Sequence, residues 1–108
     1  MTKVYISGPI TGVKDYEKAF DKAANELTAL GYKPINPVEL GKGLKINLGR
    51  EPTWDEYMTV CLAVIPTCNQ IYLLAGWENS KGARIEWNRA KELAIEPIYL
   101  EGDYDGVF

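Results

Sequence analysis

The chain of 108 residues contains no histidine. That absence removes the Ser-His-Asp triad, the Cys-His pair and every imidazole metal ligand. Cysteine is scarce as well. Cys61 and Cys68 are the only two, too few for a zinc site by themselves. With no secretory layout ahead of them, they are expected to be free buried thiols. No apolar run approaches the ~18 residues of a membrane span. No block of Lys or Arg occurs in a chain of net charge −3, so neither a nucleic-acid polymer nor an anionic membrane is an expected partner. The opening MTKVYISGP runs straight into a strand-like stretch without signal-peptide layout, which points to the cytoplasm. Acid–base or nucleophilic work, if there is any, falls to carboxylates, Tyr, Lys or Cys.

What is present is an ordinary globular composition, 46% apolar and 25% charged, in one domain spanning residues 1–108 with a single core. Lys3–Ser7 reads as a first strand, stopped by Gly8-Pro9. Residues 15–30 carry Tyr16, Phe20, Ala23, Leu27 and Leu30 at helical spacing, and Gly31 sits where a C-cap glycine belongs. Tyr32–Ile35 is a short second strand closed by Asn36-Pro37, and Val38–Pro52 reads as a long Gly- and Lys-rich loop. Thr53 with Glu56 forms a capping box for a helix over Trp54–Ile65. Gln70–Leu74 is the third strand, Lys81–Leu93 a further helix, and Glu96–Leu100 a fourth strand ahead of an acidic tail.

Strands alternating with helices predict a parallel sheet with helices on both faces. Ligands then bind outside the carboxyl ends of the strands. Three polar loops fall on that edge: Ser7–Val13, Asn36–Pro52 and Ala75–Gly82. In the last, Asn79 or Ser80 is a good N-cap. Glu86 follows a turn and a half later and leans back over Gly82 and Ala83. The spacing predicts a carboxylate above a hollow at the positive end of a helix; a plain surface glutamate is the alternative. In the first loop, the glycines of Ser7-Gly8-Pro9-Ile10-Thr11-Gly12 would let backbone N–H groups approach a ligand.

Tyr5-Ile6-Ser7-Gly8-Pro9-Ile10-Thr11-Gly12, Asn36-Pro37, Trp54-Asp55-Glu56-Tyr57-Met58 and the stretch Leu74–Glu86 follow one another in order. Together they resemble the small phage and bacterial branch of the nucleoside 2-deoxyribosyltransferase-like superfamily, which includes 2′-deoxynucleoside 5′-phosphate N-hydrolases. The resemblance covers about residues 3–100. It implies a small Rossmann/flavodoxin-like three-layer α/β sandwich with a four- to five-stranded parallel sheet. It implies chemistry at the N-glycosidic bond of a 2′-deoxynucleoside or its 5′-monophosphate, with no cofactor and no metal. Glu86 would be the nucleophile, attacking the anomeric carbon to give a covalent glycosyl ester, and Tyr5 would steady it. Ser80 would bind ligand beside it, and Gly8 and Gly12 would line the sugar or phosphate side. Ser7, Pro9, Ile10, Cys61, Trp77, Asn79 and Gly82 complete the expected substrate contacts. The partner would be a nucleoside or nucleotide, in a homo-oligomer of the cytoplasm of a bacterium or a phage-infected bacterium.

The sequence departs from that pattern. Cys61 stands where active members carry a carboxylate on the middle helix, with Tyr57 one turn before it on the same face. Asn69 replaces an aspartate ahead of the third strand, and Pro9 and Thr11 occupy the places of a phosphate-holding Ser and Arg. Lys42, Lys45 and Lys81 could add charge. An inactive nucleotide-like small-molecule binding protein of the same fold is therefore the alternative to an enzyme, and an interaction protein keeping only the fold is a third reading. Trp87 fits the helix core stripe, Trp54 and Trp77 could stack on a base, and Tyr104 and Asp105 lie in a tail that either frays or completes a neighbouring subunit's pocket.

Overall fold

The computed structural model of the chain describes residues 1–99; Leu100 of the predicted fourth strand and the tail residues Tyr104 and Asp105 lie outside them. Four strands, β1 (Lys3–Ser7), β2 (Lys33–Ile35), β3 (Gln70–Leu73) and β4 (Glu96–Pro97), form one sheet in the order β2-β1-β3-β4. All three pairings are parallel. Four helices connect and flank them: α1 (Tyr16–Ala29), α2 (Pro37–Leu48), α3 (Trp54–Val64) and α4 (Lys81–Glu92). This is the expected small Rossmann/flavodoxin-like α/β fold.

The period-2 alternation of the strands sorts side chains between two cores. Val4 and Ile6 of β1 and Tyr72 of β3 face α1, against Phe20, Ala23 and Leu27. Tyr5 and Ile71 face the other way, against Cys61 of α3 and Ala90 of α4. The chain steps one way from β1 to β2 and the other way from β2 to β3. Right-handed crossovers then place α1 on one face and α3 and α4 on the other. The reversal makes the gap between β1 and β3 the topological switch point, and a crevice opens there at the carboxyl ends of the strands. Ser7 pairs in register with Leu73 at that end.

Local signals set most boundaries. The capping box at Thr53 forms in both directions: Thr53 Oγ1 accepts from Glu56 N at 3.1 Å, and Glu56 Oε1 accepts from Thr53 N at 2.8 Å. Gly31, at φ 90, takes the left-handed turn after α1. Ahead of β3, Asn69 Oδ1 accepts from Lys3 N at 2.8 Å, tying the entry of β3 to that of β1.

Two expectations differ from the structure: β4 ends at Pro97, so Ile98 and Tyr99 are not part of it, and one helix was missed. The segment read as a long loop after Asn36-Pro37 is helical over Pro37–Leu48. Asn36 is its N-cap, its side chain accepting from Val38 N at 3.0 Å, and Pro37 occupies the first helical turn. Gly49, at φ 70, closes it. Gly41 and Gly43 hid the helix, since each lowers helix propensity by about 1 kcal/mol. Packing favours at least one of them: a Cβ on Gly41 would stand 3.2 Å from Tyr57 Cε1, so glycine lets α2 lie close against α3.

Candidate active site

Glu86 owes its position to the start of α4. Gly76 turns the chain with φ 88, and Trp77–Asn79 make one 3-10 turn. Ser80 then caps α4, its hydroxyl accepting from Ala83 N at 3.2 Å. Ala83, Glu86 and Ala90 form the buried face of α4. The two alanines let the helix approach the sheet, and Glu86 is carried over the end of β1. It is 5% exposed and is the one buried charged side chain among the described residues.

Two hydroxyls from β1 hold it. Tyr5 Oη donates to Glu86 Oε2 at 2.5 Å, and Ser7 Oγ donates to Oε1 at 2.6 Å. Tyr5 and Ser7 are two residues apart, so they share one face of β1, and both are fully buried. Charge-assisted hydrogen bonds of this length are among the stronger ones a protein makes. Glu86 lies beyond the first turn of α4, where the helix dipole has faded; the β1 hydroxyls, rather than the positive helix end, satisfy its charge.

The surroundings shift the ionisable groups. Burial raises the Glu86 carboxyl above its ordinary value, and the bonds from Ser7 and Tyr5, with Cys61 beside them, pull it partly back. Burial, reinforced by the Glu86 charge, lifts Tyr5 well above 10.0, so Tyr5 is a lasting proton-bearing donor. The Cys61 thiol is pushed up to about 11, mainly by burial, and is neutral at neutral pH. Burial likewise raises Tyr57. Its hydroxyl is the one enclosed side-chain polar atom among the described residues with no hydrogen-bond partner.

Glu86 borders an inner niche of about 70 Å³, together with Gly8, Ile10, Phe20, Tyr57, Ser80 and Ala83. Beside it lies an outer chamber of about 380 Å³, walled by Tyr16, Val38, Gly41, Lys42, Lys45, Glu51 and Pro52. Ile10, Pro37, Trp54 and Tyr57 line both, so the two form one cleft. Gly8 is required at the niche: a Cβ there would fall 2.8 Å from Leu74 Cβ.

The residues named from the sequence divide into three groups. Glu86, Tyr5 and Ser7 come together. Ser7 does so in an unexpected role, since its hydroxyl is spent on the carboxylate rather than on a ligand. Gly8, Ile10, Ser80 and Gly82 line the niche. The hollow expected at Gly82 is partly filled, because a Cβ there would meet Met58 Sδ at 3.4 Å. Cys61 sits behind the carboxylate with 0% exposure, enclosed rather than lining the cleft. Pro9, Gly12, Trp77 and Asn79 line neither chamber. Pro9 packs toward Gly76, and Trp77 stands edge-on to Trp87 at 6.3 Å. Trp54, which the sequence marks as a residue that could stack on a base, lines both chambers, as do Pro37 and Tyr57; the sequence reading missed the wall that α2 supplies. The Asn-Pro pair at 36–37 was the available signal.

The structure defines a parallel α/β domain with a carboxylate buried at its switch point. More narrowly, the chain matches, over residues 2–99, the family described as a domain of unknown function (DUF4406), and it belongs to that family. No curated protein and no solved structure matches it. Among the described residues no group of three or more Cys, Asp or Glu side chains is arranged to hold a metal ion, and no helix is long and apolar enough to cross a membrane.

Proposed function

We propose that the protein breaks or exchanges the N-glycosidic bond of a 2′-deoxynucleoside or its 5′-monophosphate through a covalent glycosyl ester on Glu86. The observation that carries this reading is the buried Glu86 carboxylate, held by Tyr5 and Ser7 and bordering an open niche. A carboxylate oxygen attacks the anomeric carbon, the C–N bond breaks, and its electron pair leaves with the base. Water or a second base then attacks the same carbon and frees Glu86, giving retention over two displacements. Tyr5 and Ser7 keep the carboxylate in one orientation, which is the share of catalysis that positioning supplies. A small-molecule nucleoside or nucleotide partner, a homo-oligomer and a bacterial cytoplasm go with this reading.

One observation favours a second reading, a binding module without turnover. The inner niche holds no carboxylate besides Glu86. Tyr5, Tyr57 and Cys61 all titrate above their ordinary values, so none readily gives a proton to a departing base. Incubating the protein with 2′-deoxynucleosides and their 5′-monophosphates, with and without a second free base, separates the two. Chromatography scores released base and exchanged nucleoside. Product that disappears in Glu86→Gln supports the glycosidic reading; no product from any substrate, with both proteins folded, overturns it.

A further inference from the structure

We infer that the cleft takes an uncharged, ring-bearing ligand, a nucleoside in preference to its phosphate, with the flat ring seated in the outer chamber against Trp54. The inference deepens the glycosidic reading and rests on it for the sugar end alone. Three features of the cleft lead to it.

The first is shape. The outer chamber, at about 380 Å³, falls within the ~300–1,000 Å³ of small-molecule sites. The niche at Glu86, at about 70 Å³, is far smaller. A ligand spanning both has its larger part outside and the part that meets the carboxylate inside.

The second is the wall. Tyr16, Trp54 and Tyr57 line the outer chamber, and Trp54 and Tyr57 reach the niche as well. Trp54 stays 40% exposed, although an indole gains more than most side chains from burial. It is held at the first residue of α3 by the Thr53 capping box. The Lys81 ammonium lies 5.0 Å from its ring centroid, which fixes the indole further. A rigid, partly open indole at the junction of two chambers is a stacking platform for a planar ring.

The third is charge. The lining residues of the two chambers include two ammonium groups, Lys42 and Lys45, and three carboxylates, Glu17, Glu51 and Glu86. Both lysines are engaged: Lys45 Nζ is 2.6 Å from Glu51 Oε1, and Lys42 Nζ is 3.6 Å from Glu39 Oε1. Neither chamber is lined by an arginine. A phosphate entering here meets a wall with more carboxylates than cations, in a protein of net charge −3, and would have to break an ion pair to gain either lining lysine; Lys81, beside Trp54 and outside the ion pairs described, lines neither chamber.

Calorimetric titration of the intact protein with 2′-deoxyadenosine, 2′-deoxycytidine and their 5′-monophosphates tests this. Glu86→Gln serves as the binding-only form for any ligand the wild type turns over. The expected result is nucleoside binding about tenfold or more tighter than the monophosphate, and a loss of about tenfold in Trp54→Leu that Trp54→Phe largely restores. Tryptophan fluorescence should respond to nucleoside in the wild type and not in Trp54→Leu. Equal or tighter binding of the monophosphate overturns the inference, as does unchanged nucleoside affinity in folded Trp54→Leu. The phosphate comparison needs no variant, so a Trp54→Leu that fails to fold leaves it decisive. Cleavage confined to the monophosphates would sink this inference and keep the glycosidic reading. Tight, Trp54-dependent nucleoside binding with no cleavage would do the reverse.

Discussion

The inner niche and the outer chamber are built by opposite means. The niche is formed where a central strand meets a helix through two alanines. At its Glu86 end three buried polar groups, Tyr5, Ser7 and Glu86, are bonded to one another. The outer chamber is framed by a glycine-bearing helix and the segment that follows it, held by exposed ion pairs such as Lys45–Glu51 and Arg50–Glu56. Exposed pairs are worth about 0–1 kcal/mol, whereas an unmade bond to a buried carboxylate costs about 1–3 kcal/mol or more. The contrast teaches that the Glu86 end of the cleft is the more firmly fixed and the α2 end the more adjustable.

The largest effect is expected at the fixed end. Glu86→Gln should lower turnover on the order of 10⁴-fold or more, while ligand binding persists. In the wild type, turnover should fall as pH drops through the raised Glu86 pKa, because only the carboxylate attacks. Stability runs the other way. A raised native pKa means that the Glu86 contribution is fully present below its ordinary 4.5 and is lost as pH rises through the native value. A pH–rate profile set beside melting curves at the same pH values checks both signs.

Next in size is Tyr5→Phe, which leaves Glu86 Oε2 without its donor. Turnover should fall by about 10²–10³-fold, and the protein should lose about 1–3 kcal/mol in denaturant unfolding. A mutant as active as the wild type would mean that the carboxylate needs no orientation from β1.

The smallest effects form a matched pair of glycines. Gly8→Ala places a Cβ 2.8 Å from Leu74 Cβ and should cost about 1–3 kcal/mol. Gly43→Ala meets nothing within 4 Å on an α2 turn and should stabilise by about 0.5–1 kcal/mol. If both glycines behaved alike in chemical denaturation, the fixed-versus-adjustable distinction would fail.

The same distinction governs what the sequence makes legible. β1, α1, α3 and α4 could be read nearly to the residue because strong local signals agree there: the apolar stripe of α1, the Thr53–Glu56 box, and the Ser80 cap. Glu86 and Tyr5 could be named because they sit on those elements and in the stretches that carry the resemblance. The α2 helix could not be read, because Gly41 and Gly43 weaken the local signal and the packing against Tyr57 that favours glycine is a tertiary fact. With α2 taken for a loop, the outer chamber that it walls was out of reach, although Trp54 had been marked as a residue that could stack on a base. Ser7 was named among the expected ligand contacts; only the approach of α4 shows that its hydroxyl belongs to Glu86.

The most direct test of the central claim is to catch the ester itself. The protein is mixed with a 2′-deoxynucleoside, quenched in acid within a turnover, and its intact mass is measured. A gain of one deoxyribosyl group, mapped by proteolysis to Glu86 and absent in Glu86→Gln, is the predicted result. Base release without any adduct, or an adduct that persists in Glu86→Gln, would contradict the account.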